Sequence, residues 1–452
     1  MGLMGSIEEQ TTALKGLRAL ALSLALSLTL AVQAFGTQAV TLSDAVRSGI
    51  KHNQSVLSAE QDLRNAEALL GQARSAAMPS LNVQGSFTRS SEEGAERNDY
   101  GDLSLNQTVY AGGAITGALR QAEANLRKAR HGLRHSKEKA AREAYEAFLN
   151  ALLAQENLKT AEENRLYYEK AWETAEKRLQ VGLSTRLEAS RMKQNLREAQ
   201  GAVETARGSL RSALITLARV MGVDPKEVTS VSGTLDIPAG WAVQGLEELE
   251  AAALKGRSDL AALREDIELQ REAVKIAGAS MRPSASLSGG YRFYQDKTGS
   301  STKEGEWTAT LNLTVPLVDF GRTDAKVLQE QSKLHKLLVS LKDMEDSVRE
   351  ELEKDLIALD TAVRNREIYA ENLEIARENL RLAEVGYREG VNTQLDVISA
   401  RRELNNGELR YKETLKALQG ALKDIWFHCG ALIERVVPDE SFEGSRDGNG
   451  SR

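Results

Sequence analysis

The chain is short of the residues that staple, break or crowd a globule. It holds a single cysteine, Cys429, in 452 residues, so no intramolecular disulfide can form. Only six prolines occur, which leaves room for long unbroken helices, because an interior proline removes a backbone donor and clashes with the preceding turn. Aromatic residues make up 5% and charged residues 27%, a profile of long helices and coiled coils rather than of one compact core. The formal net charge of -6 lacks the basic excess that a nucleic-acid partner requires. Beyond the N-terminal segment no apolar run reaches the length of a transmembrane helix. If this chain enters a membrane, it does so as strands.

What is present starts with an address. Lys15 and Arg18 precede an apolar run from Ala19 to Val32, followed by Val32-Gln33-Ala34 and then Thr37-Gln38-Ala39. A basic start, a short apolar core and a small-x-Ala site predict a secretory signal peptide over residues 1–34, with cleavage after 39 as the alternative. The competing reading is a buried N-terminal helix. No cysteine follows the cleavage site, so a lipid anchor is not indicated.

The strongest signal is a duplication. Pro79-Ser80 recurs as Pro283-Ser284, an offset of 204, and at that offset Lys51 meets Lys255, Gly85 meets Gly289 and Phe87 meets Tyr291. Further on, the segment Val181–Glu188 aligns with Glu389–Asp396 at an offset of 208, and Gly113 aligns with Gly321. The repeats are therefore 41–222 and 245–430, joined by a linker over 223–244 and followed by a tail over 431–452 expected to be disordered.

Each half reads as helix, two strands, very long helix, short break, helix. Residues 41–78 form one helix, with Thr41 or Ser43 as N-cap and Pro79 as the stop. Residues 113–180 and 321–389 are the long helices. In the second, Leu352, Leu356, Leu359, Val363, Ala370, Leu373, Leu380, Ala383 and Tyr387 follow at steps of three, four or seven, a heptad seam. At 1.5 Å per residue such a helix spans about 100 Å. The helices 41–78 and 183–221, stacked end to end, match one long helix, and so do 245–282 and 391–428. Gly182 and Gly390 then become hairpin tips at one end, with the strands at the other.

The strands carry the membrane argument. Leu81, Val83, Gly85 and Phe87 alternate with polar residues; so do Leu103, Leu105 and Val109, with Gln107 breaking the pattern, and Ala309, Leu311, Leu313 and Val315. One apolar and one polar face over roughly nine to eleven residues fits a tilted transmembrane strand. Leu81, Val83, Leu311, Leu313 and Val315 are the lipid-facing candidates. Segments 89–102 and 295–306 read as polar loops. The alternative is a half-buried sheet on a soluble core. Four strands cannot close a barrel, so the bilayer reading demands oligomerisation.

Other signals are weak. His131 and His135 share a helical face but have no third ligand near them, and their repeat partners are Val339 and Asp343, so they do not form a zinc site. Gly112, Gly113 and Gly117 lack the spacing of a phosphate loop and are read as turn chemistry. No nucleophile–base or paired-carboxylate constellation can be placed in a pocket. The sequence gives no reason to expect an enzyme, a cofactor or a bound metal.

With the duplicated plan, the Pro-Ser turns, the strand-to-helix segments Gln107–Gly113 and Pro316–Gly321, and the tip segments Leu179–Ser184 and Tyr387–Val391, the chain resembles the TolC family of outer-membrane factors over residues 41–430. The resemblance implies a mainly α fold with a small β part: a duplicated long-helix bundle with four transmembrane strands per chain. It implies a homotrimer in the outer-membrane lipid, forming a 12-stranded barrel and a helical periplasmic tunnel. It further implies a passive duct for efflux or type I secretion, docked to a periplasmic adaptor and an inner-membrane pump. Val181, Gly182, Leu183, Ser184, Gly390 and Val391 match the docking tip. The aperture candidates are Asp396, Ser399 and Glu188. Asp396 matches the first acid of the family's Asp-x-x-Asp gate, Ser399 stands where the second is expected, and Asn392 stands where some members carry arginine. The plain alternative for Asp396 is a carboxylate near a helix start. Two rival classes are a periplasmic coiled-coil adaptor and a structural coiled-coil protein, neither of which needs two symmetric strand pairs.

Overall fold

The computed structural model describes residues 39–87, 98–237, 245–297 and 305–438; the signal-peptide segment lies outside them. The first half contains α1 (Leu42–His52), α2 (Gln54–Ala76), β1 (Ser80–Ser86), β2 (Asn98–Ala111), α3 (Ala114–Gln180) and α4 (Arg186–Met221). The second contains α5 (Leu246–Gly256), α6 (Ser258–Gly278), β3 (Ser284–Lys297), β4 (Glu306–Thr314), α7 (Arg322–Arg388) and α8 (Gln394–His428), followed by α9 (Leu432–Val436). Both long helices have 67 residues. Among the described residues no helix is long and apolar enough to cross a membrane.

Three expectations need correction. The helices expected over 41–78 and 245–282 are each broken, at Asn53 and Arg257, where the backbone turns extended (ψ 128° and 121°). Asn53 accepts from Ser55 N at 2.8 Å and so starts a new helix, and Gly256 just before Arg257 passes so close to Cys429 O that a side chain would strike it. Secondly, β2 and β3 run into segments expected as loops, taking in 98–102 and 295–297, while β4 stops at Thr314 and leaves Val315 just past its end. Thirdly, residues 431–438 are not a loose tail. Leu432, Ile433 and Val437 are buried in the main core, where removing their apolar surface from water offsets part of the cost of ordering the segment.

That core sits at mid-length of α3, where Ala141, Ala144, Tyr145, Phe148 and Leu152 meet Val46 and Ile50 of α1 and Leu217 and Met221 of α4. The run of alanines permits close approach; a Cβ on Gly49 would lie 2.9 Å from Ala144 Cβ. The linker crosses here as well. Val231 is buried, and its backbone N–H donates to Gln155 Oε1 at 3.1 Å while Gln155 Nε2 donates to Val231 O at 3.0 Å. On α7, Leu352, Leu359, Leu373, Leu380 and Ala383 of the heptad seam are buried against its neighbours.

The helices form an open row. Toward the sheet, α2 packs on α3, α3 on α6 and α6 on α7; toward the tips, α4 packs on α3, α3 on α8 and α8 on α7. The sheet has the order β1-β2-β3-β4, all antiparallel. Ser80 pairs with Asn106 and Ser284 with Thr314, the same register in each repeat. Row and sheet are open on the same sides: β1, α2 and α4 at one, β4 and α7 at the other.

Candidate functional site: the sheet and the hairpin tips

Pairing across the sheet sorts its side chains by face, since directly opposed residues of an antiparallel pair point the same way. One set of rungs is Leu81–Leu105–Gly289–Ala309, Val83–Leu103–Tyr291–Trp307 and Gln107–Leu287–Leu311. The other is Asn82–Ser104–Gly290–Thr308, Asn106–Ser288–Thr310 and Thr108–Ser286–Asn312. Apart from Gln107 these three rungs carry no polar side chain except the hydroxyl of Tyr291 and the indole N–H of Trp307 near one end, and toward the other end the rung Tyr110–Ala285–Leu313 adds the hydroxyl of Tyr110. Leu81, Val83, Leu311 and Leu313 are exposed in the single chain, as is Val315 beyond the strand. Gln107 answers for its place on the apolar face by donating to Ala77 O at 3.0 Å, tying β2 to the end of α2.

At the far end of the bundle, the two hairpin tips are built alike. Gly182 (φ 76°) and Gly390 (φ 77°) hold the left-handed conformation that ends a helix. Leu183 N donates to Arg178 O and Val391 N to Gly386 O, both at 2.8 Å, closing the same turn twice. A capping box then starts each following helix, Thr185 with Glu188 and Thr393 with Asp396. Val181, Leu183 and Val391 are exposed, and so are Leu187 and Leu395 one turn further on. Sequence reasoning passed over that last pair, although the 208 offset aligns them.

Glu188 and Asp396 occupy equivalent positions and do different things. The Asp396 carboxylate is engaged within its own box, accepting from Thr393 N at 2.8 Å and Thr393 Oγ1 at 2.7 Å. These bonds hold it below the usual carboxylate range. The structure thus places it as a helix-start carboxylate. Ser399, one turn on, is exposed. Glu188 is longer by one methylene and reaches outward. It accepts from Ser184 Oγ at 2.7 Å and from the Tyr387 hydroxyl of the other hairpin at 3.2 Å, and its own carbonyl accepts from Gln394 Nε2 at 3.5 Å. The Ser184 hydroxyl leads the bonds that depress its carboxyl. Arg178 lies over the Tyr387 ring, 5.5 Å from its centroid. Glu188, Ser184, Tyr387, Gln394 and Arg178 therefore join the two tips, a link that no periodicity discloses.

Elsewhere, His131 and His135 lie on α3, with burial lowering both imidazoles. Gly112 and Gly113 form the turn into α3, and Gly117 packs against Ile276. Among the described residues no cluster of three or more His, Cys, Asp or Glu could hold a metal.

A duplicated helical row, capped at one end by a sheet with an apolar and a polar face, defines the class of outer-membrane duct subunits. The chain belongs to the outer membrane efflux protein family, whose model matches residues 46–223 and again 249–426. It is similar to outer membrane efflux protein BepC of Brucella suis, 22% identical over 370 residues that cover 80% of this chain and 79% of that protein. It is likewise similar to outer membrane protein TolC of Vibrio cholerae, 22% identical over 398 residues covering 84% and 90%. The fold matches the solved outer membrane protein VceC of Vibrio cholerae with a TM-score of 0.70, 20% identity and coverage of 87% and 95%. The protein is an outer-membrane efflux channel subunit, and the adaptor and coiled-coil alternatives give way to that reading.

Proposed function

We propose that three copies of this chain close edge to edge into one barrel and one helical tunnel, forming a passive exit duct of a tripartite efflux or type I secretion assembly. The observation that carries this is the sheet. Its apolar face suits lipid and its polar face suits a water-filled lumen, while unpaired edges at β1 and β4 cannot remain open in a bilayer. The exposed apolar tips, Val181, Leu183, Leu187, Val391 and Leu395, supply a surface for a periplasmic adaptor that connects to an inner-membrane pump. In the closed assembly, threefold symmetry brings Asp396 and Ser399 toward the axis, and Glu188 latches each pair of tips. The protein has no need of a cofactor in this role. Native mass measured in detergent tests it: three chains are expected, and a monomer or a dimer removes the duct. Pull-down with tagged protein should retain an adaptor, and loss of that adaptor on Leu183→Asp assigns the docking to the tips.

A further inference from the structure

Phe320 is out of place in a single chain. Its side chain is 97% exposed, and its backbone holds φ 53°, the one non-glycine residue at positive φ among those described. A residue with a Cβ meets steric cost in that region; the turn itself is held by Asp319, which accepts from Gly321 N at 3.1 Å and Thr323 N at 2.9 Å, and the ring is left in the open.

The duplication shows what the position faces. At the 208 offset, Phe320 is the counterpart of Gly112, which has φ 62°, and Gly321 of Gly113, with φ 85° against 94°. Both turns lead from a strand into a long helix. Within the chain, the Gly112 turn sits on the α6–β3 turn of the other repeat: Arg282 Nη1 donates to Gly112 O at 3.1 Å. A Cβ at Gly112 would lie 2.8 Å from Arg282 Cβ. At the 204 offset, Arg282 is the counterpart of Met78, at the α2–β1 turn. Met78 is 65% exposed and lies next to the free β1 edge, as Phe320 lies beyond the free β4 edge. Repeating the β2–β3 register at the open edges sets Leu313 opposite Gly85 and Leu311 opposite Phe87, apolar with apolar.

We propose that a second copy of this chain covers Phe320, its ring seating on Met78 of that copy at the junction of barrel and tunnel. The six junctions of the assembled ring then alternate between two chemistries. Inside each chain a glycine turn is held by an arginine hydrogen bond; between chains an aromatic ring meets a thioether, a favourable and adaptable contact. This rests on the trimer proposed above and adds the side chains that join its subunits.

The test uses the full-length protein in outer membranes, with Cys429→Ser to remove the native thiol. Met78→Cys and Phe320→Cys, singly and together, are treated with a short bismaleimide. Each thiol adds across one maleimide double bond, forming a C–S bond and passing its proton to the neighbouring carbon, so no oxidant is needed. The double variant should give covalent dimers and trimers, and the single variants none. Phe320→Gly, which relaxes the backbone and removes the ring, should lower the temperature at which the SDS-resistant trimer dissociates. A double variant that stays uncrosslinked while native mass remains three chains would mean that Phe320 meets lipid, and the proposal falls. Unchanged dissociation in Phe320→Gly also counts against it. A native mass of one chain overturns the trimer itself, and this contact with it.

Discussion

The Tyr387 hydroxyl donates to the Glu188 carboxylate at 3.2 Å, although the two residues are 199 positions apart. The bond joins the end of α7 to the start of α4, and so one hairpin tip to the other. A hydrogen bond to a charged acceptor is worth about 1 kcal/mol at a half-exposed place, which is roughly a five-fold shift between two states. Tyr387→Phe removes only the hydroxyl. Its expected effect is a larger open population in single-channel recording, with trimer yield unchanged. Identical open probability would show that the tips are held by other contacts.

Acid should loosen the same latch. Bonds from Ser184 and other donors hold the folded Glu188 carboxyl below its ordinary value of 4.5. A depressed acid contributes stability that is present above the ordinary value and is lost as pH falls through the folded one. The latch should therefore be intact at neutral pH and fail only below 4.5. Glu188→Gln should reproduce the acid behaviour at neutral pH and flatten the pH dependence of conductance.

A buried carboxyl at the waist has the opposite sign. Glu138 on α3 is 4% exposed, accepts from Ser258 Oγ at 3.3 Å and has Arg134 Nε at 3.2 Å. Burial outweighs these partners and pushes it up from 4.5 to about 7, with Asp259 adding repulsion. Below 4.5 it is protonated whether the chain is folded or not, and above about 7 the folded state bears the full cost of its charge. Thermal unfolding followed by helical circular dichroism should therefore show Glu138→Gln more stable than the parent at pH 8 and equal to it near pH 4, within the range where shifts of this kind act. A destabilised variant at the higher pH would mean that the Arg134 pair outweighs burial.

Much of this architecture is legible in the chain because it depends on period. Heptad steps along α7, alternation along the strands and the paired prolines each report a local rule that the fold obeys. The helix breaks at Asn53 and Arg257 were hidden because apolar spacing continues across them, and neither position carries proline. The strand extensions were hidden by their charge: Asp102 and Glu306 read as loop residues, yet each stands opposite Arg292 on one rung of the sheet. The polar face of a sheet tolerates charge that a protein core would not. The Glu188–Tyr387 bond was illegible for a different reason. Each residue satisfies a local role, as box acid and as seam aromatic, and their meeting follows only from how the hairpins align.

The two faces of β4 allow a paired test. Leu313 stands opposite Ala285 on the apolar face and Asn312 opposite Ser286 on the polar face. Arginine facing lipid at the bilayer midplane costs roughly 2–4 kcal/mol, and far less in a water-filled lumen. Leu313→Arg should sharply reduce the protein recovered in outer membranes, whereas Asn312→Arg should assemble and shift conductance toward anions. Equal tolerance would place the sheet against protein rather than lipid.

The aperture test has to separate two jobs of one carboxylate. Asp396 caps α8 through its bonds with Thr393, and in the proposed trimer it also contributes to a ring of three charges, which favours cations and repels anions. Charges about 6 Å apart repel by roughly 1 kcal/mol in water and several-fold more near protein, so a closed tip needs the Glu188 latch or bound cations to hold it. The side-chain oxygen of asparagine can still accept from Thr393 N at this third helical position and carries no charge, so Asp396→Asn should keep trimer yield while lowering cation selectivity and divalent block. Because Ser399 adds no second acid, that block should already be modest in the parent, and Ser399→Asp should deepen it. Planar-bilayer recording decides between the jobs. Selectivity and block that are the same in Asp396→Asn as in the parent would leave Asp396 with its cap alone, away from the constriction.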